Sequence, residues 1–490
     1  MNITPSLLLA MLPFFIVTAT AVAVMASISW RRHHFFNATI TVVGLNLALA
    51  SLIPVFFVTP VHFGNLMVVD NFTLLYTSMM LISALACSTL SHAYLEGLPG
   101  RQEEYYLLMM FAVMGGIALA ASTHMATFFI GLELLSVPIY GMAAYTYNSD
   151  RHSLEAGIKY LVLSAAASAF LLFGMALLYA ASGSLAFDEL AAVAAGGGHR
   201  AWLITGVGLM VVALGFKLSL VPFHLWTPDV YGGAPAPTSS FLATVGKVAV
   251  FAVLLRFFML APSVHDARLG LIIGVIAFIT MLVGNLLALR QTDIKRLLGY
   301  SAIAHFGYLL TAIVAIVAAG GFGAFAVETT GMYLITYVAA TLGAFGVVTL
   351  VSSPYQGKDA AELYNYTGLF WRRPYLAAVL TVMMLSLAGI PLTAGLIGKL
   401  YIIALAVNAH LWWLVGGIVV GSAIALYYYL RVTINLYMRP RGELRRDAPT
   451  DWGSRSGGLM VMLLAVAVLL MGVYPEPWIL LVQLAGLGAG

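Results

Sequence analysis

The stretch Gly215-Phe216-Lys217-Leu218-Ser219-Leu220-Val221-Pro222-Phe223-His224, continuing to Pro228, Pro235 and Pro237, places a lysine, prolines and a histidine within long apolar sequence. A second stretch, Leu385-Ser386-Leu387-Ala388-Gly389-Ile390-Pro391, echoes its Leu-Ser-Leu followed shortly by proline about 167 residues later. Proline removes a backbone donor and clashes with the preceding turn, so neither segment can be continuous helix. The apolar sequence on both sides nevertheless asks for helix. Unwound backbone at membrane depth is tolerated only where protein or a polar cavity surrounds it. The two stretches together therefore point to a polytopic membrane protein with a pair of broken helices.

Composition agrees. Of 490 residues, 62% are hydrophobic and 9% charged, with a mean hydropathy of +0.98. A soluble domain carries about a quarter of its residues as charged side chains, so lipid must be the solvent here. Uninterrupted runs such as 161–181 and 459–473 exclude a transmembrane β-barrel, whose strands alternate over about ten residues. The fold class is all-α. A net charge of +4 spread over short loops is no nucleic-acid footprint. The single cysteine, Cys87, lies in an apolar run, excluding disulfides, iron–sulfur clusters and thiolate zinc sites within the chain. The first apolar stretch, 6–29, lacks a preceding basic segment and is followed by Arg31-Arg32-His33-His34. It reads as an uncleaved first span with its N-terminus outside the cytoplasm.

Turn and charge punctuation predict fourteen spans: 5–29, 36–59, 71–95, 105–121, 124–147, 155–181, 201–222, 237–260, 269–290, 296–318, 325–352, 373–407, 410–437 and 457–486. Within 105–147, Ala121-Ser122-Thr123-His124 is the one plausible turn. This topology puts seventeen of the 23 Lys and Arg residues on one side, Lys358 and Arg439 among them, and three (Arg200, Arg256, Arg268) on the other. That asymmetry marks the first side as cytoplasmic and both termini as outside. Seven of the eight tryptophans (Trp30, Trp202, Trp371, Trp412, Trp413, Trp452 and Trp478) fall at span ends, where an interfacial belt belongs.

A second echo links 160–170 with 333–345, about 173 residues apart. The implied units are spans 4–8 and 9–13, and five crossings being odd, the second is inverted. The expected organisation is 1–100 (three helices), 101–262 (first repeat), 263–440 (inverted second repeat) and 441–490 (loop and last span). Inverted repeats with paired broken helices characterise ion-coupled transport; generic small-residue packing is the competing explanation.

Four ionisable residues lie in the wrong solvent: Glu133, Lys217, Lys247 and Lys399. Each costs about 2.5 kcal/mol or more near the bilayer centre. Burial favours a neutral lysine and a nearby carboxylate favours a charged one, so a Glu133–Lys217 pair would form a proton switch feeding Lys247 and Lys399 through ordered water. His224 and His305 could bridge them. For Lys217 the alternative is a structural ion pair that fixes helix register; for the histidines it is a satisfied structural imidazole. Gly321-Phe322-Gly323 follows no strand, and the Gly-Lys pairs at 246–247 and 398–399 lack P-loop spacing. No nucleotide or metal site is expected.

The residues go further. Gly131-Leu132-Glu133-Leu134-Leu135-Ser136-Val137-Pro138, then 215–231 and Gly233-Ala234-Pro235-Ala236-Pro237, resemble the signature of the antiporter-like membrane subunits of respiratory complex I, the proton-pumping NADH:quinone oxidoreductase. Further matching stretches are 294–301, 385–399, 410–413 and 427–431, so the resemblance covers essentially the whole chain. It implies that the family's relay glutamate falls on Glu133 and its lysines on Lys217, Lys247 and Lys399. It also implies that FMN, the iron–sulfur clusters and most of the quinone pocket lie in other subunits. Expected partners are two antiporter-like neighbours, small membrane subunits and lipid, with NADH and quinone as substrates of the whole complex. The lack of a transit peptide points to a bacterial inner membrane. The alternatives are a subunit of a multi-subunit cation/proton antiporter, a membrane hydrogenase arm, or a purely structural subunit.

Overall fold

The computed structural model describes residues 4–96, 100–190, 200–261, 267–319, 323–352, 359–439 and 456–486. Lys358, Trp452 and the basic residues between 441 and 455 lie outside them. Among the described residues, thirteen helices are long and apolar enough to cross a membrane. The pair Pro374–Ala388 and Ala394–Asn408 supplies the remaining crossing as one broken helix. The expected turn is present between helices Glu104–Ala121 and Met125–Ala143, where the His124 ring accepts from the Ala126 amide at 3.1 Å.

Helices segregate by what surrounds them. Over an 18-residue window, Ala236–Leu260 and Ile294–Val317 are 100% buried and Gly323–Val351 94%, against 28% for Leu12–Trp30 and 33% for Ser456–Val473. The first three form a protein-lined centre; the others turn an apolar face outward, as only lipid or a neighbouring subunit permits. The polar residues of the sequence reading fall in or beside that centre.

Both breaks close in the same way. Helix Arg200–Leu218 ends with Ser219 left-handed, φ 65°. The Leu220 amide returns to Gly215 O at 2.7 Å and the Ser219 amide to Phe216 O at 3.0 Å. Helix Pro374–Ala388 ends with Gly389 at φ 83°, Ile390 returning to Leu385 O at 3.0 Å and Gly389 to Ser386 O at 2.9 Å. Each is a Schellman closure. The structural register between them is therefore 219 against 389, an offset of 170, and differs from the Leu-Ser-Leu echo at 167. In this register Lys217 stands opposite Leu387. The second break also requires a glycine, because a Cβ at Gly395 would lie 1.7 Å from Ser386 O.

Other boundaries differ from expectation. The last span is two helices, Ser456–Val473 and Glu476–Gly486, since Pro475 and Pro477 interrupt the ladder. The first is divided at Met11 into Pro5–Ala10 and Leu12–Trp30. A short hairpin, Val61–Phe63 with Met67–Val69, was not anticipated. Arg256, counted on the outer side near the end of span 237–260, lies inside helix Lys247–Leu260. It is 6% exposed and pairs with Asp70 through two bonds of 2.9 and 2.8 Å. Its Nε donates to Ala120 O at 3.1 Å, and its guanidinium lies over the Phe72 ring at 4.5 Å. This fork fastens three helix ends together.

Gly395→Ala is expected to destabilise the protein by about 1–3 kcal/mol through forced separation of the second break, read as a lowered melting temperature. Gly416→Ala, with nothing within 4 Å of the added Cβ, is expected to leave it unchanged.

Candidate functional site

A helix end leaves its last carbonyls without intrahelical partners and carries partial negative charge from the aligned peptide dipoles. Each break therefore creates an acceptor for a cation inside the membrane, and each is met by a lysine. Lys247 Nζ donates to Leu218 O at 3.2 Å. Lys399 Nζ donates to Ala388 O at 2.7 Å. Leu218 and Ala388 occupy the same position of the two closures, immediately before the left-handed residue. Lys247 comes from the following helix, directly after a π-helical turn at Leu242–Gly246; such widened turns recur at functional sites. Lys399 comes from the second half of its own broken helix. Both side chains are buried.

Lys217 occupies the last turn of helix Arg200–Leu218 and is also buried. Its ammonium donates to Ser136 Oγ and Ser164 Oγ, each at 2.6 Å. Tyr140 donates to the same Ser164 hydroxyl at 2.6 Å. Glu133 is half-buried and accepts from Ser168 Oγ. The expected direct Glu133–Lys217 pair is absent among the described ion pairs. Ser164 and Ser168, one turn apart on helix Arg151–Ser182, stand between the two charges and contact one each.

His305 is on helix Ile294–Ala319, in the buried centre. Its Nδ1 is 2.7 Å from Tyr333 Oη and its Nε2 3.2 Å from Tyr429 Oη. The same helix reaches both break lysines: Lys247 Nζ lies 4.8 Å from the centre of the Phe306 ring and Lys399 Nζ 5.8 Å from that of Tyr308. Lys399 and His305 also share a cavity of about 10 Å³, close to the minimum that holds one water. His224 follows the first break and is buried. Neither of its ring nitrogens has a hydrogen-bond partner among the described residues, and the structure does not join it to the other five.

A separate cavity of about 380 Å³ lies at the loop end, lined by Glu155, Asp229, Asp293, Lys295, Arg296 and Asp359 with other residues. Asp229 accepts from Lys159 at 2.7 Å and Arg296 at 2.9 Å; Asp359 accepts from Lys295 at 2.6 Å and Tyr94 at 2.7 Å. Asp293 accepts from the Arg296 amide at 2.9 Å. Burial pushes its carboxyl above the usual carboxylate range, against the pull of that amide and of Lys295 and Arg296.

The sequence reading singled out the charges and missed their hydroxyl partners Ser136, Ser164, Ser168, Tyr333 and Tyr429. The spacing of Tyr160, Ser164 and Ser168 along one helix face was the available signal. Asp70 and Asp293 were missed as well, because each sits at a helix start where an acidic residue is ordinary.

A family model described as NADH:quinone oxidoreductase/Mrp antiporter, TM, matches residues 122–425. The protein named NADH-quinone oxidoreductase subunit N of Chromohalobacter salexigens is 61% identical over 472 residues, 96% of this chain and 98% of its own length. A chain of respiratory complex I from Thermus thermophilus has a TM-score of 0.80 at 33% identity, covering 95% of this chain and 98% of that one. A chain of the Mrp complex from a Dietzia species has a TM-score of 0.83 at 19% identity, covering 98% and 97%, a likeness of fold alone.

For an acid whose folded pKa is raised, the native state holds the proton more tightly than the unfolded chain. The contribution to stability is full below the unfolded value and is lost as pH rises through the folded one. Asp293→Asn keeps a capping side chain and removes the charge. The melting temperature at neutral pH is expected to stay level or rise, and the difference from wild type to shrink on acidification. A marked fall at neutral pH would show that Lys295 and Arg296 depend on the carboxylate.

Proposed function

The chain belongs to the NADH:quinone oxidoreductase/Mrp antiporter membrane family, and we infer that it is the counterpart of subunit N in a proton-pumping NADH–quinone oxidoreductase. It is a multi-span membrane subunit whose buried ionisable residues move protons while electron transfer proceeds elsewhere. The observation that carries the site reading is the pair of ammonium-capped helix breaks, linked through helix Ile294–Ala319. Glu133, Lys217, Lys247, His305 and Lys399 are the relay in this reading, with His224 a side station beside the first break. Glu133 acts on Lys217 through the hydroxyls of Ser168 and Ser164, so a small shift of helix Arg151–Ser182 changes how strongly the carboxylate holds the Lys217 proton. Such a bistable element is what coupling to a distant redox site requires.

The two closures in matching register support the reading of spans 4–8 and 9–13 as inverted units around a central site. The partners are the other membrane-arm subunits, two of them antiporter-like, in a bacterial inner membrane with both termini periplasmic. FMN and most of the quinone pocket belong to other subunits. So do the iron–sulfur clusters, since one buried cysteine cannot form a cysteine ligand set. The antiporter alternative rests on shared fold, while the near-full-length match at 61% identity favours the oxidoreductase.

The test is Lys217→Ala in the native host, with NADH oxidation and proton uptake recorded together in inverted vesicles and assembly checked on a native gel. Uptake is expected to fall by about tenfold or more, in line with the 10²–10⁴-fold that a positioned proton-transfer group contributes. Unchanged uptake in an intact complex would make Lys217 a structural partner. Absence of the chain from any NADH-oxidising complex would transfer the reading to the antiporter.

A further inference from the structure

His305 is held on both sides by phenols. A neutral imidazole has one N–H donor and one bare acceptor nitrogen, and here each nitrogen faces a tyrosine hydroxyl, at 2.7 Å to Tyr333 and 3.2 Å to Tyr429. A hydroxyl donates and accepts at once. Tyr429 Oη is in turn hydrogen-bonded to Ser301 Oγ. The result is an unbroken series of exchangeable protons: Tyr333, His305, Tyr429, Ser301. All four residues are buried, so bulk water does not compete with the series.

The two ends of the series are informative. At one end, Tyr333 and His305 line the cavity of about 10 Å³ together with Thr336, Ser386 and Lys399. The Lys399 ammonium has three N–H groups, of which one is engaged by Ala388 O. A single water there has the two or more polar partners that a buried water needs. At the other end, Ser301 lies about two turns along the helix from Asp293, which lines the 380 Å³ cavity at the loop end. The series therefore leads from the second break toward the 289–293 loop. Tyr428 adjoins it, its hydroxyl interacting with Tyr429 and Ser301. Tyr428 donates to Asn285 Oδ1 at 3.0 Å and Asn285 Nδ2 donates to Tyr308 at 2.8 Å, an adjoining group that leads away from the loop end and braces the same helices.

We propose that Tyr333, His305, Tyr429 and Ser301 form a proton-transfer branch that connects Lys399, through one water, with the side of the membrane bearing the 289–293 loop. The branch rests on the proton-translocating reading above and adds hydroxyl residues to it. In each passage a proton is delivered to the bare nitrogen of His305 and a new N–H bond forms. The N–H bond at the other nitrogen breaks as its proton passes to the next hydroxyl, which releases its own proton onward. One proton enters and one leaves, with no electron transferred. Rotation of the hydroxyls and exchange of the imidazole tautomer reset the branch.

The test uses the complete complex in inverted vesicles. Tyr429→Phe and Tyr333→Phe each delete one oxygen and keep the ring. Tyr105→Phe is the control, since it removes an equally buried hydroxyl, bonded to Thr238 and outside the series, and Lys399→Ala probes the underlying reading. The first two are expected to lower NADH-driven proton uptake by about twofold or more, because a relay step weakened by the ~10²-fold worth of a positioned proton-transfer group becomes limiting. Tyr105→Phe should pump as wild type. Wild-type uptake by both Tyr429→Phe and Tyr333→Phe, with Lys399→Ala impaired, overturns the branch and leaves the relay standing. Wild-type uptake by Lys399→Ala as well removes both. A fluorinated tyrosine at 429 keeps shape and hydrogen bonding while making the phenol more acidic. The alkaline limb of uptake against pH should then move to lower pH, and an unmoved profile overturns the branch even if the phenylalanine variants fail to assemble.

Discussion

The structure depends on one interaction, a lysine ammonium set on the carbonyl end of a half-helix. Each partner is unfavourable alone. An ammonium at membrane depth costs about 2.5 kcal/mol or more, and a helix end there leaves carbonyls that lipid cannot satisfy. Placed together, the cation faces the negative end of the peptide dipoles and the orphan carbonyl gains a charged donor. The low dielectric strengthens that attraction. Leu218 O with Lys247 and Ala388 O with Lys399 are the two occurrences, and the buried helices Ala236–Leu260, Ile294–Ala319 and Gly323–Val351 screen both from bulk water and lipid.

This arrangement explains why the breaks persist and why they suit proton movement. A neutral amine still donates to the carbonyl but without the charge that strengthens the bond, so release of the proton weakens the cap. Charge state and backbone geometry are thereby linked at two points of one helix layer. Phe306 and Tyr308, two residues apart, face Lys247 and Lys399 respectively, so a single helix touches both breaks. The Asp70–Arg256 fork lies further along the helix that carries Lys247 and anchors that end.

Much of this was legible in the sequence, for identifiable physical reasons. Prolines in apolar runs announce broken helices, and a lysine in an apolar span has few structural justifications, so Lys217, Lys247 and Lys399 stood out. The register between the breaks was not legible. Residue identity aligned the two Leu-Ser-Leu triplets, whereas the closure is set by whichever residue takes positive φ, and Ser219 does so in a position more often filled by glycine. Nor could spacing show that Glu133 meets Lys217 only through serines. A serine in a membrane helix ordinarily bonds its own preceding turn, and only the packing of Arg151–Ser182 against its neighbours turns Ser164 and Ser168 outward. The pairing of Arg256 was not legible either, because its partner Asp70 is 186 residues away. Tyrosines at 333 and 429 were indistinguishable from packing until both nitrogens of His305 were seen to face them.

The most direct measurement separates a lysine that caps from a lysine that also gives up its proton. Arginine keeps the positive charge and the donors, and it does not deprotonate in proteins. In Lys247→Arg and Lys399→Arg, the complex should assemble and melt near the wild-type temperature while NADH-driven proton uptake in inverted vesicles is lost. Wild-type uptake by both variants would contradict the account and leave the two ammoniums as helix caps alone.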